Sequence, residues 1–259
     1  MGTDHFLLED AIAFARSLAH REAVEDAALV VALPSLTALH YHRPQDWPWP
    51  RAFRYQHEFI SMASTAETLA AIVHTQTSGA EHVINLFQPD LEPEIAEMRE
   101  AGYTAAWISP ILGRSLKAPW PPGRQPRPGV AIEVRTPADR RRFNSLPGIS
   151  NQCDTIDSKV HCFYIEVDGY VIAKAQMIYI GGGTAYISDM YTHPDQRQQG
   201  LCSAMMASLE DKARHLGAQR CVLAPGLEPL EMGLYERYGY QRSANRAVFI
   251  PMAPPQATG

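Results

Sequence analysis

Met190-Tyr191-Thr192-His193-Pro194-Asp195-Gln196-Arg197-Gln198-Gln199-Gly200-Leu201-Cys202-Ser203-Ala204-Met205-Met206 is the stretch of this 259-residue chain whose reading decides the fold. Residues 185–192 are rich in the β-branched and aromatic types that suit a pleated strand, and His193-Pro194-Asp195 breaks it. From Leu201 the period changes. Leu201, Met205, Leu209, Ala213 and Leu216 recur every three or four residues, and Gly217 stands where a helix ends in a left-handed residue. The first turn of such a helix carries amides without carbonyl partners, its dipole adds partial positive charge, and Gly200 lets an anion approach the backbone. The junction therefore reads as an anion site that suits a pyrophosphate.

The strand, the proline and the Arg-x-x-Gly-x-small turn opening a helix resemble the acetyl-CoA motif of the GNAT superfamily of N-acetyltransferases. A second element follows in order: Leu234-Tyr235-Glu236-Arg237-Tyr238-Gly239-Tyr240 is similar to the family's Leu-Tyr-x-x-x-Gly-Phe segment, and Arg220-Cys221-Val222-Leu223-Ala224 supplies the strand between. Cys202 stands where the family prefers Gly or Ala, Gln198 replaces a frequent glycine, and Glu228 falls near a common cofactor-contacting Asn. The resemblance implies a GNAT fold of α/β (α+β) class, with a central mixed, mostly antiparallel twisted sheet flanked by helices. It also implies that acetyl-CoA is bound, with CoA as product, by Met190, Tyr191, Thr192, Arg197, Gln198, Gln199, Gly200, Leu201, Cys202 and Ser203. Tyr235 matches the tyrosine that faces the cofactor sulfur as general acid.

Acyl transfer to an amine needs a proton removed from the amine, a donor to the developing oxyanion and an acid for the thiolate. The backbone amide of Met190, or a neighbour, is expected to polarise the thioester carbonyl where the sheet splays. For the base, the candidates are Asp189 on the motif strand, Glu166 on what reads as the neighbouring strand, His193 at the strand end, or a water chain. Each side chain also has an ordinary surface reading.

Local signals order the surrounding chain. Residues 118–129, Ala-Pro-Trp-Pro-Pro-Gly-Arg-Gln-Pro-Arg-Pro-Gly, cannot hold a helix or central strand and read as a semi-rigid linker. Residues 130–259 then form the catalytic domain: strand 130–135, a helix from about 137, strands 160–167 and 170–180 joined by Asp168-Gly169, strand 184–192 and a last strand at about 245–251. Thr136-Pro137-Ala138-Asp139 reads as a capped helix start, which makes Arg140-Arg141-Arg142 a solvated helix face.

Residues 1–117 form a degenerate GNAT-like or accessory α/β domain, with residues 6–19 helical and Asp46-Trp47-Pro48-Trp49-Pro50 a rigid loop. An internal comparison supports a tandem. Gly79-Ala80-Glu81-His82-Val83-Ile84-Asn85-Leu86, Leu91-Glu92-Pro93 and Gly102-Tyr103 parallel Gly217-Ala218-Gln219-Arg220-Cys221-Val222-Leu223, Leu227-Glu228-Pro229 and Gly239-Tyr240 at nearly equal spacing. The stretch that would carry a phosphate turn, Tyr55-Gln56-His57-Glu58-Phe59-Ile60-Ser61-Met62-Ala63, has no glycine, and Met98 lies where Tyr235 does. This half is expected to extend the sheet and to wall the acceptor side, which in the second half has only the short segment at about 143–159.

A net charge of −5 argues against a nucleic-acid partner. No apolar run approaches the ~20 residues that cross a bilayer, and the early Asp4, Glu9 and Asp10 do not suit a signal peptide, so a cytoplasmic protein without a membrane role is expected. The four cysteines form no CxxC pair and read as reduced thiols, and His40 and His42 share a strand face without a third metal ligand. The expected activity is N-acetylation of a primary amine on a small molecule, amino acid or peptide by a monomer or homodimer. A non-catalytic acetyl-CoA-binding regulatory or interaction module is the alternative.

Overall fold

The computed structural model describes residues 4–25, 29–32, 36–40, 57–74, 82–88, 90–121, 131–146, 153, 156–225 and 229–252. The chain divides into two compact units, one of Met1–Ala15, Glu22–Ile111 and Ser243–Gly259, the other of Arg16–Arg21 and Leu112–Arg242.

The first unit runs α1 (Asp4–Glu25), β1 (Leu29–Ala32), β2 (Leu36–His40), β3 (His57–Ser61), α2 (Thr65–His74), β4 (His82–Gln88), α3 (Glu92–Glu100) and the start of β5 (Tyr103–Ser115). Strands β1, β2 and β3 pair antiparallel, β3 and β4 parallel. The next strand beside β4 comes from the far end of the chain: β11 (Gln241–Pro251) pairs antiparallel with it from Asn245↔Gln88 to Phe249↔Ile84. Phe59, Ile84, Leu86, Met98, Ala247 and Phe249 pack as one apolar cluster. A polar chain crosses the same strands: Asn85 Nδ2 donates to Glu58 Oε1 at 2.5 Å, Arg246 Nε donates to Asn85 Oδ1 at 2.8 Å, and the guanidinium lies 5.8 Å over the Phe14 ring.

The second unit takes the end of β5 and continues with β6 (Ile132–Glu133), α4 (Pro137–Ser145), β7 (Val160–Val167), β8 (Tyr170–Ile178), β9 (Thr184–Thr192), α5 (Leu201–His215), β10 (Arg220–Leu223) and α6 (Pro229–Arg237). Its strand order is β5-β10-β9-β8-β7-β6, with β9 and β10 parallel and the others antiparallel. The α4 cap is as the sequence predicts, because Thr136 Oγ1 accepts from Asp139 N and the Asp139 carboxylate accepts from Thr136 N. Asp168 and Gly169 both take positive φ, 51° and 83°, which lets two residues join β7 to β8.

Alternation sorts the two faces. Phe163, Ile165, Ala173, Ala175, Met177, Ala185 and Ile187 pack with Met205, Met206 and Leu209 of α5. The intervening residues face α4: Lys174 Nζ donates to Leu146 O at 2.8 Å and lies 5.1 Å over the Phe143 ring. Beneath α5, Glu210 and Arg114, both wholly buried, pair at 2.5 Å, and Glu210 also accepts from the Tyr240 hydroxyl at 3.1 Å and Arg214 Nη2 at 3.1 Å. Burial pushes the Glu210 carboxyl up, and Arg114 opposes it.

The strand expected at about 245–251 forms, but it runs between β4 and β5, while β10 takes residues 112–115 of β5. The linker expected at 118–129 is described only over residues 118–121, and the Asp46-Trp47-Pro48-Trp49-Pro50 loop lies outside the described residues.

Candidate functional site

At the C-terminal end of β9, ladder geometry opens the sheet. Parallel pairing with β10 stops at Tyr186↔Val222, while β9 runs on to Thr192. On its other side Gln176 faces Ser188 and Lys174 faces Tyr191, so that Asp189 and Met190 stand together against Ala175. Two residues against one make a bulge, and Asp189 meets it with a φ of 52°. A left-handed conformation at a non-glycine residue costs on the order of 1 kcal/mol. Met190 packs at the edge of the α5-side core, and the bulge turns its backbone out of the regular ladder.

The turn after β9 is built to leave the head of α5 open. Pro194–Gln196 forms a single 3-10 turn, in which His193 Nδ1 accepts from Asp195 N at 3.3 Å, and Arg197 Nε holds Thr192 O at 3.3 Å. Gln198 and Gly200 then take φ of 63° and 80°. Gly200 is the N-cap, no side chain caps the helix and no acid lies in its first turn. Ser203 Oγ donates back to Gly200 O at 2.7 Å and so does not cap the helix. A Cβ on Gly200 would meet only Ser203 Oγ, at 3.7 Å, so the glycine serves the backbone angle rather than a tight packing contact. Cys202 and Leu201 pack against the core rather than over the turn, so replacing the family's small residue by cysteine does not block it. The basic residues Lys212, Arg214 and His215 occupy the opposite end of α5, where positive charge suits the dipole.

Tyr235 lies on α6, partly buried at the edge of the same core, its ring 6.2 Å from that of Tyr240 at 71°. Its carbonyl accepts from the amides of Tyr238 and Tyr240 at 2.9 and 3.1 Å, which fixes the helix end at Gly239 (φ 85°).

Glu166 does not lie on a strand next to β9. It is on β7, and β8 runs between them because the three strands form successive hairpins; at ordinary strand spacing the two are about 10 Å apart. Its Oε2 accepts from Arg142 Nη1 at 3.1 Å. His193 is partly exposed, with Nδ1 engaged by its own turn. Asp189 is the candidate acid located at the bulge. Its negative charge acts on Lys174, whose ammonium is disfavoured by burial and supported in turn by Asp189. Sequence reasoning alone misses Lys174. The signal for it is a pair of polar residues, Lys174 and Gln176, two apart inside an otherwise apolar run.

In the first unit the strand-to-helix step from β3 to α2, with β4 parallel to β3, carries acids at its helix head. Ser64 N donates to Glu67 Oε2 at 3.2 Å while Glu67 N donates to Ser64 Oγ at 3.3 Å, a capping box. Glu94 Oε2 accepts from both the amide and the hydroxyl of Thr65. Met98 is fully buried in that unit's apolar cluster. Residues 57–61 of the stretch compared with the phosphate turn form β3, and Tyr55 and Gln56 lie outside the described residues.

His42 and Glu228 also lie outside the described residues, among which no group of three or more His, Cys, Asp or Glu could hold a metal. All four cysteines are free thiols. No described helix is long and apolar enough to cross a membrane. A groove of about 400 Å³ lined by Glu133, Arg135, Phe163 and Lys212 sits at the β6 edge, three strands from β9.

The fold is mixed α+β, with an open strand end feeding an uncapped helix. Residues 130–240 match the acetyltransferase (GNAT) family model, and that part of the chain is a GNAT domain. Among solved structures, a GCN5-related N-acetyltransferase from Kribbella flavida is 20% identical, with a TM-score of 0.65 over 95% of this chain and 98% of its own. A tandem GNAT protein from the clavulanic acid biosynthesis pathway is 11% identical, with a TM-score of 0.54 over 98% and 97%. L-PGS from Bacillus licheniformis shares the fold at 9% identity and a TM-score of 0.53, over 95% and 91%. No curated protein matches the sequence significantly.

Proposed function

We propose that the protein is an N-acetyltransferase that moves acetyl from acetyl-CoA to the primary amine of a small molecule, amino acid or peptide by direct attack. The observation that carries this reading is the α5 head, with Gly200 in a left-handed N-cap, no capping side chain and no acid, directly after the bulged end of β9. Acetyl-CoA supplies an activated acetyl group and departs as CoA. Residues 197–203 hold the pyrophosphate through backbone amides and Arg197. The Met190 amide, turned out at the bulge, polarises the thioester carbonyl, which a preorganised donor does without reorganising during reaction. Asp189, directly or through a water, takes the proton from the amine, and Tyr235 gives one to the thiolate. Glu166 has a structural task, holding Arg142 of α4 to β7.

The first unit, with its helix head filled by Glu67 and Glu94, serves in this reading as a degenerate GNAT-like partner without a cofactor of its own. The experiment is release of free CoA thiol from acetyl-CoA by a broad panel of amines. Release with at least one amine is expected, whereas tight acetyl-CoA binding with no release by any amine would replace the enzyme by a binding module.

A further inference from the structure

The hydroxyl of Ser188 is in an unusual position for a side chain in a sheet. Ser188 is 7% exposed, and its Oγ has no hydrogen-bond partner among the described residues. Buried polar atoms are nearly always paired, and an unpaired one destabilises the fold where alanine or valine would not. Its place in β9 gives the reason. Ser188 faces Gln176 across the ladder, so it points to the α4 side, the side on which Lys174 reaches Leu146 O. It is two residues past the last pairing with β10 and one residue before Asp189 and the bulge. An unsatisfied hydroxyl thus stands where the strands part, on the face away from α5.

We infer that Ser188 is an acceptor-positioning residue, with Oγ accepting an N–H from the incoming neutral primary amine. The inference rests on the acetyltransferase reading above. A neutral primary amine has one lone pair and two N–H groups. The lone pair must point at the acetyl carbon, so the orientation is set by where the N–H groups are received. Asp189 or its water receives the proton that leaves; Ser188 receives the one that stays. The N–C bond forms, the C–S bond breaks, the amine proton goes to Asp189 or its water, and the thiolate takes the Tyr235 proton. Ser188 exchanges none.

The test compares Ser188→Ala, Ser188→Thr and Ser188→Val with the unaltered protein. Thiol release is measured with glycine, L-lysine, putrescine and glucosamine, and kinetics are followed with whichever of these, or of the broad panel above, reacts fastest. The acceptor KM is expected to rise roughly threefold to tenfold in the Ala and Val variants, the worth of one neutral hydrogen bond, and to stay near the original in Thr. The acetyl-CoA KM should not move, and the Ala variant should melt no lower than the parent. Thr and Val are nearly equal in shape, so their difference isolates the hydroxyl. Equal acceptor KM in all four proteins, equal behaviour of Thr and Val, or a lower melting point for Ala would overturn the assignment. An unaltered protein that releases no thiol with any amine would instead overturn the acetyltransferase reading, and this inference with it.

Discussion

Glu94 Oε2 accepts a hydrogen bond from the Thr65 amide at 3.2 Å, so the head of α2 carries a negative charge from its own unit, whereas the first turn of α5 carries no acid. A carboxylate at a helix head contributes about 1 kcal/mol. Glu94→Ala should therefore lower stability by about that amount in denaturant unfolding. Acetyl-CoA titration should still give one site per chain, because Glu67 and Ser64 continue to cap α2. A second site appearing in the variant would mean that Glu94 alone blocks binding there.

Gly200→Glu should abolish acetyl-CoA binding by placing a carboxylate beside the pyrophosphate amides. Gly200→Ala is the milder control. It puts a side chain at φ 80°, costing roughly 1 kcal/mol, with no heavy atom nearer than 3.7 Å to the new Cβ. CoA-dependent thermal stabilisation separates the two, and stabilisation undiminished in the Glu variant would remove the turn from the binding site.

Tyr235→Phe keeps the packing against Tyr240 and removes only the hydroxyl. Turnover should fall by about 10²-fold, within the usual range for a general acid, with little change in acetyl-CoA affinity. Full activity would assign the proton to another donor.

Glu210 and Arg114 form an ion pair removed from water on both sides. Glu210→Ala leaves the guanidinium buried without its main partner and should cost about 3–5 kcal/mol in urea unfolding. The double variant Glu210→Leu with Arg114→Met should cost less than the two single changes added together, since no buried charge is stranded.

Glu133 gives the clearest acid dependence. Burial pushes its carboxyl up, but hydrogen bonds from Lys212, Arg135 and His161 outweigh burial and hold it at about 2. A carboxyl lowered on folding stabilises the protein above the unfolded value, near 4.5, and that contribution fades as pH falls toward 2. The stability gap between the parent and Glu133→Gln should thus be full at pH 6 and close progressively below about pH 4.5. A gap that stays constant down to pH 2 would contradict the pairing.

Elements set by neighbours along the chain are legible in the amino-acid sequence. The Thr136 and Asp139 box, the Asp168-Gly169 turn and the left-handed Gly217 (φ 92°) each depend on a few adjacent residues, and each is present. The same holds for the α5 head, which one glycine and the absence of acids define. Features set by pairing across the sheet are not legible in that way. Nothing local tells β11 to choose β4. The bulge at Asp189 arises because one strand carries a residue more than its partner between two matched positions, and neither strand records that alone. The unpaired Ser188 hydroxyl shows only once the faces are known.

The membership of β11 in the first unit bears on how the polypeptide is made. During translation, residues 1–111 leave the ribosome long before residues 243–251, so β4 must wait for its antiparallel neighbour until the whole second unit has been synthesised. Until then the β4 edge exposes unpaired amides and carbonyls, a surface prone to wrong pairing. A fragment expressed as residues 130–259 would meet the mirror-image difficulty, carrying β11 without β4 and β10 without residues 112–115 of β5. The two compact units consequently do not correspond to two contiguous stretches of sequence, because residues 243–259 belong with residues 22–111.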